Sequence, residues 1–550
     1  MQVRLRRLTR ALARRAGRTH SRQTLLRSVG RALLVTVVAA VLTLPVAAAW
    51  GIGHARATDY LGPHRVVFSA DFRGEVAIDL GPLGNAYLAS PVAPVGVAID
   101  VGGASAAGTT FGSLFSAETL AAYTALYTDP EEAVRGVVER LERDALIGTV
   151  EAEVVLLLGF AAWALRRHLL SPWVVRRVTR RRTAAVYVSV MAVLVGSILV
   201  PGRPDGPRIP VDLQLRGVSG LTVDSPLLAD LLGRGVSGVR LLSSRQQAAV
   251  RRYVDDAAGS LSAQLAVLPA PRPGETMVVG FSDLHCNQAT TELITRLVAV
   301  TRPALVLDSG DDTVNGTAAE RGCIHRQAGI ANGVPMLDAT GNHDSDVTEA
   351  QLRAAGVTVL DGSPVDAAGW SVLGDDDPER QVPFSVDRVR DRPETEAELG
   401  DRLVQTARPS PVDVILVHQP AASVQVMTAA DPPARLVLWG HFHSQQGPTV
   451  VEHADGSWTV GMQQGTAGGV KQPTITSFST PFSPPLISAD LYFYFRDDAT
   501  GLITGVQPVH LEPDAEVTID PRTETGDLTT LPEATRVRLA GGSSASPSPR

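Results

Sequence analysis

An α/β fold, preceded by three membrane-spanning helices and a small β-rich unit, is what this sequence predicts on three observations. Three apolar segments, Ala32–Trp50, Leu146–Leu165 and Ala184–Val200, each have the roughly 17–25 residues a helix needs to cross a hydrocarbon core. From Met277 onward, a short apolar run of β type leads into a cluster of Asp, Asn or His with a Gly close by, and this arrangement occurs five times. At 550 residues and 44% hydrophobic side chains, the chain is long enough to build more than one core.

Taken in order, residues 1–31 carry ten Arg and no acid, and an apolar helix over 32–53 follows. Its apolar run exceeds that of a secretory signal core, so an uncleaved helix is expected even though Ala47, Ala48 and Ala49 are small residues of the kind found at cleavage sites. Region 54–145 shows β-type runs such as Arg65–Ala70 and Val95–Val101, broken by Gly and Pro. The second helix, 146–165, contains Glu151 and Glu153; running outside to inside, it would hold both near its outer end, where an ionised group costs least. Loop 166–183 carries seven Arg and 184–201 is the third helix; because Arg-rich loops tend to stay inside, everything after Val200 is expected outside. In the connector 202–271, Pro210–Leu215 offers a strand, Gln246–Leu268 a helix, and Pro269–Gly274 a boundary. The strand-and-cluster pattern fills 272–513, and 514–550, ending in Gly, Ser and Pro, reads as a disordered tail.

The formal charge of −7 is unevenly spread: without the seventeen Arg of the two basic stretches the remainder carries −7 − 17 = −24. So acidic a surface repels a phosphate backbone, and nucleic acid is not an expected partner. The two cysteines, Cys286 and Cys323, fit neither a dense disulfide framework nor a Cys-rich zinc site.

The chemistry lies in the five clusters. Met277–Phe281 leads to Asp283-Leu284-His285, Leu305–Leu307 to Gly310-Asp311, and Val334–Ala339 to Gly341-Asn342-His343-Asp344. Val414–Val417 leads to His418, and Leu436–Trp439 to Gly440-His441-Phe442-His443. Continuous apolar runs suit strands buried on both faces, and layered folds gather ligands at the carboxyl ends of such strands. Imidazole and carboxylate together suit borderline divalent ions, and a carboxylate can bridge two of them about 3.5–4 Å apart.

In this order, the five blocks resemble the calcineurin-like metallophosphoesterase family over roughly residues 272–513. The resemblance implies a four-layer sandwich of two mixed β-sheets flanked by helices, and hydrolysis of phosphate mono- or diesters by in-line attack of a hydroxide bridging two divalent ions (Mn, Fe or Zn). Carried over by position, Asp283, His285, Asp311 and His443 hold the first ion, and Asp311, Asn342, His418 and His441 the second. His343 then stabilises the transition state or protonates the leaving oxygen, and Asp344 orients it. Gln419 stands where relatives often carry a second His. Phosphorylated small molecules or lipids are the expected substrates, with specificity set by loops such as 361–391 and 470–486. The rival expectation is a weakly active, metal-containing envelope scaffold whose His64–Gly103 region docks a partner.

Asp308 and Asp312 flank the bridging position on the opposite side of an extended chain, and are expected to be solvated or to support the ligands from behind. Asp375-Asp376-Asp377 lacks the flanking pattern of a calcium loop and reads as a plain loop. His325, His453 and His510 stand alone and read as structural or exposed. Cys286 and Cys323 both follow strand ends at the same rim, and outside a membrane they are expected to form a disulfide.

Overall fold

The computed structural model describes residues 22–61, 64–90, 92–101, 130–169, 207–212, 220–383, 387–471, 483–527, 529, 531 and 535–538. The expected third apolar helix (184–200), most of the Arg-rich loop before it, and the Gly/Ser/Pro end of the chain lie outside these residues.

Two long helices, α1 (Arg22–His54) and α2 (Pro130–Leu169), each contain a stretch long and apolar enough to cross a membrane, Thr36–His54 and Arg135–Ala162. They run antiparallel in close contact: a Cβ added at Gly51 would lie 2.3 Å from Thr149 Oγ1, and one at Gly148 3.2 Å from the Gly51 Cα. Small residues allow helix backbones to approach in this way. Thr43 Oγ1 donates to Glu153 Oε1 at 2.7 Å, joining the two apolar stretches, one of which holds each residue.

Between these helices run β1 (Arg56–Leu61), β2 (His64–Asp71), β3 (Glu75–Asp79), β4 (Asn85–Ala89) and β5 (Gly96–Asp100). With β6 (Ile209–Pro210) and β7 (Thr222–Val223) they form one sheet in the order β1-β2-β5-β3-β4-β7-β6. Val66, Phe68 and Ile99 bury one face of it against Ala55, Val137 and Leu141 at the helix ends. Helix α3 (Pro226–Ala263) begins well before the expected Gln246. Its start is nonetheless written in the sequence, because Ser225 accepts from the Leu228 backbone N–H and Pro226 follows at the first helical position. Tyr253, Val254, Ala257 and Leu261 on its last turns join the next core at helical spacing.

That core belongs to two facing mixed sheets. In one, the parallel strands β8 (Glu275–Phe281), β9 (Val306–Asp308), β10 (Met336–Asp338) and β11 (Thr358–Val359) are extended by antiparallel β20 (Ala489–Asp497), β21 (Ile503–Leu511) and β22 (Val517–Ile519). In the other, β13 (Trp370–Gly374), β16 (Val412–Leu416), β17 (Ala434–Trp439) and β19 (Trp458–Gln463) are parallel, with β12 (Val365–Ala367), β18 (Gln446–Glu452) and β24 (Arg536–Arg538) at the edges. Val278, Leu307, Tyr492 and Tyr494 of the first sheet pack against Leu416, Leu436, Leu438 and Val460 of the second, all fully buried. Helix Gln288–Thr301 covers one outer face, and Glu396–Ala407 with Pro420–Met427 the other. The parallel strands therefore end along one edge, where a ligand site is expected.

The chain does not become disordered at Asp514. Val517 is fully buried in β22, β23 (Thr523–Glu524) pairs with β21, and β24 completes the second sheet. An apolar residue every second position (Val517, Ile519) is enough to seat a short edge strand, and this signal is easily hidden among polar neighbours.

Candidate metal centre

Five of the seven predicted ligands leave their strands through a sharp turn. Asp283, His285, Asp311, His441 and His443 all have φ between 45° and 75°, a left-handed region that non-glycine residues rarely occupy. Strain of this kind concentrates where side chains must be aimed at a shared point. Two glycines make the approach possible: a Cβ at Gly341 would lie 2.2 Å from Asp311 Oδ1, and one at Gly440 2.3 Å from Asp283 Oδ2.

The turns deliver two converging donor groups. Asp283, His285, Asp311 and His443 each present one donor atom within 4.8 Å of the others, and so do Asp311, His418 and His441. His443 Nε2 lies 3.1 Å from both Asp283 Oδ1 and His285 Nε2. Asp311 Oδ2 lies 3.8 Å from His285 Nε2 and 3.2 Å from His418 Nε2, and it is common to both groups. The remaining ring nitrogens are anchored outward: the Nδ1 atoms of His285, His418 and His443 lie 3.0, 2.8 and 2.9 Å from the carbonyls of Thr313, Ser309 and Val470. Such anchors fix the tautomer and turn the Nε2 lone pairs inward. His441 is reversed, with Nδ1 inward, 3.2 Å from His418 Nε2.

Charges among the protein groups follow this packing. Burial opposes ionisation of Asp283, but His443 outweighs it and holds the carboxyl down at about 2. Burial likewise opposes the charge on His418, yet Asp311 raises it to about 10. Burial, reinforced by His343 and His418 respectively, lowers His285 and His441 to about 3, which keeps their lone pairs free. The residues fit divalent cations on a further observation: both side-chain atoms of Asn342 and Oδ1 of Asp283 are buried without a hydrogen-bond partner.

His343 sits beside this group, its ring edge-on to that of His285 with centroids 4.9 Å apart. Its Nδ1 lies 2.8 Å from the Val314 carbonyl. Asp344, expected to orient His343, is engaged elsewhere: its oxygens accept from the backbone N–H groups of Asp311, Asp312, Thr313 and Gly341 and from Thr313 Oγ1. A carboxylate taking this many donors holds the backbone turn around Asp311, while the Val314 carbonyl sets the imidazole.

Two participants, Glu320 and Arg388, escaped the sequence reading. Glu320 accepts from the backbone of Val314 and Asn315 at 2.7 and 3.1 Å and so steadies the segment that holds His343; its capping-box spacing from Thr317 was a legible signal. Arg388, on the hairpin of β14 (Glu379–Gln381) and β15 (Arg388–Arg390), places its guanidinium 3.5 Å from His441 Nε2 at the exposed rim; nothing local in the sequence marks it. Gln419 donates to Asp377 at 2.7 Å, and burial pushes the Asp377 carboxyl up to about 6.

Of the two roles expected for Asp308 and Asp312, only the solvated one is ruled out. Asp308 and Asp312 are not solvated: both are fully buried and converge with Asp338. Burial, then neighbouring carboxylates, pushes all three carboxyls up, Asp312 to about 7. Asp375 and Asp376 lie in a loop, but a buried one, ion-paired to Arg380, Arg392 and Arg402. His453 bonds to Thr459 and His510 to Asp490, while His325 is exposed. Cys286 and Cys323 are joined by a disulfide, with Cα atoms 5.3 Å apart.

Residues 276–445 match the calcineurin-like phosphoesterase family. Among solved structures, the chain is similar to an archaeal phosphodiesterase (12% identity, 43% of this chain and 100% of the other, TM-score 0.26). It is also similar to the phosphoesterase Yfce from E. coli (15% identity, 45% and 99%, TM-score 0.22) and to a metallophosphoesterase from Sphaerobacter thermophilus (13%, 46% and 88%, TM-score 0.19). No curated protein matches the chain. All five strand-end clusters, from Asp283 to His443, lie within the segment 276–445 that matches this family.

Proposed function

We propose that this domain hydrolyses phosphate mono- or diesters with two divalent ions, and that the chain holds it on the outer face of a membrane. The observation that supports this most is the position of Asp311 Oδ2, shared between the His285 and His418 sides of the centre. On this reading Asp283, His285, Asp311 and His443 hold one ion, and Asp311, Asn342, His418 and His441 the other. When bound, such a pair supplies a nucleophile from water near neutral pH and positive charge against the phosphoryl oxygens.

The chain's own residues do the rest. The carbonyls of Thr313, Ser309 and Val470 keep three imidazoles aimed inward. With Nδ1 of His343 committed to Val314, Nε2 is the nitrogen that carries a proton to the leaving oxygen. Arg388 offers a rim cation for the phosphoryl group's remaining charge.

The test is turnover of generic mono- and diesters by the purified full chain, stripped of metal and reloaded with Mn²⁺; a fully loaded protein without turnover on either class overturns the hydrolase reading. The outer placement needs the expected third helix, 184–201, besides the two apolar helices, and what supports it is that β6 and β7, which follow that helix in the chain, share one sheet with β1–β5, which lie between the first two. Reporter fusions after Arg27, near Ala122, near Thr179 and after Gly217 should read inside, outside, inside and outside, and a cytoplasmic reporter active after Gly217 overturns that placement.

A further inference from the structure

The hairpin of β14 and β15, with the loop that leads into it, is built onto the turn that carries Asn342 and His343. Three successive carbonyls of that turn accept hydrogen bonds from it. Thr340 accepts from the Asp377 backbone N–H at 2.9 Å, Gly341 from Nη1 of the buried Arg380 at 2.9 Å, and Asn342 from the Gln381 backbone N–H at 2.7 Å. The returning strand is tied to the same base, because the Asp391 N–H donates to the Pro378 carbonyl and Arg392 pairs with Asp375 and Asp376. Gln381 and Arg388 face one another across the hairpin. The backbone of Arg388 is therefore braced, through Gln381, against the residue that bears Asn342.

From that position the side chain reaches the centre, with Nη2 3.5 Å from His441 Nε2. Nδ1 is the His441 nitrogen that points inward. A neutral ring that offers its lone pair at one nitrogen carries its hydrogen on the other. A guanidinium and an imidazole N–H thus converge at the rim, two donors with no acceptor between them. Among the described residues, the carboxylate paired with Arg388 is that of Glu379, 3.8 Å away and beyond hydrogen-bond range. The Arg388 side chain is 42% exposed and open to an arriving anion.

Taking the centre as the phosphoester hydrolase proposed above, we infer that Arg388 is its specificity-determining residue and selects phosphate monoesters over diesters. A monoester keeps all three of its outer phosphoryl oxygens unesterified and carries about two negative charges near neutrality. A diester has an alkyl or aryl group on one of those oxygens and a single charge. The further anionic oxygen is the monoester's alone, and a guanidinium donates to such oxygens in a fixed fork. With a diester, the Arg388 and His441 donors are left short of that acceptor, which costs affinity where both have been drawn together.

The experiment uses full-length wild type, Arg388→Ala and Arg388→Lys, each loaded with Mn²⁺. Turnover is measured on p-nitrophenyl phosphate and bis(p-nitrophenyl) phosphate, and inorganic phosphate is titrated by calorimetry. Wild type should favour the monoester. Arg388→Ala should lose roughly 10- to 100-fold more in kcat/KM on the monoester than on the diester and weaken inorganic phosphate by a similar factor, the range of hydrogen bonds to charged groups. Its metal content should match wild type. Arg388→Lys keeps the charge without the fork and should fall between the two. Equal losses on both esters overturn the assignment, as do unchanged phosphate affinity in Arg388→Ala and a wild type that favours the diester. Metal lost from Arg388→Ala overturns it too, since Arg388 would then be a support for His441. Loaded wild type that turns over neither ester sinks the hydrolase reading, and the phosphate titration still decides whether Arg388 binds the anion.

Discussion

The rim that carries Asp283, Asp311 and the histidines grows from the same strands as the pocket of Asp308, Asp312 and Asp338, yet the two differ in what surrounds their carboxylates. At the rim, imidazoles outweigh burial and hold the Asp283 carboxyl at about 2; in the pocket no cationic side chain among the described residues intervenes, and Asp312 is pushed up to about 7. One step along the chain, from Asp311 to Asp312, separates these environments, because the left-handed turn at Asp311 divides the two side chains. A cluster of acids therefore has no chemistry of its own until the partners across the fold are known.

The largest effect should come from breaking what the rim groups share. Asp311→Asn should bring turnover below detection and lower metal content, since both donor groups lose their common anion; metal content equal to wild type would refute the bridging role. His343→Ala should keep the metals and lose roughly 10²- to 10⁴-fold in kcat, the range of a positioned proton donor. A fall in bound metal instead would make His343 a ligand.

Smaller effects sharpen the comparison by acting on the scaffold and not on the site. Replacing both Cys286 and Cys323 by Ser opens a loop of 37 residues and should cost about 2–4 kcal/mol of stability on the chain-entropy estimate, read as a lower midpoint in denaturant. Unchanged stability would show that the bridge does not constrain the unfolded chain.

The smallest change lies far from both clusters. Arg522 binds Glu275 through two hydrogen bonds of 2.7 and 2.8 Å and, as the main cause, holds its carboxyl down from an ordinary 4.5 to about 2. A depressed carboxyl contributes stability that is fully present above its unfolded value and lost as pH falls from 4.5 to about 2. Arg522→Ala should cost about 2 kcal/mol near neutrality. It should also flatten the acid limb of a melting-temperature profile over that window, and an unaltered limb would remove Glu275 from the acid response.

Much of this molecule was legible before folding because its signals are local. The apolar runs ending in Asp283-x-His285, Gly310-Asp311, Gly341-Asn342-His343 and Gly440-His441-x-His443 mark both strands and the residues that the structure gathers, since a buried parallel strand must be apolar throughout and its exit must turn sharply. Ser225-Pro226 and Thr317-x-x-Glu320 are local signals of a helix start and a cap as well, but only the structure brought them out. Other features exist only once distant segments meet. Asp344 bonds the Asp311 turn instead of His343, Arg388 reaches His441 across 53 residues, and Asp338 joins Asp308 and Asp312 because β9 and β10 are adjacent and in register. Residue type and spacing set which groups leave a strand together; which groups face one another across the fold depends on packing between strands far apart in sequence, and a side chain's charge depends on that burial and those neighbours.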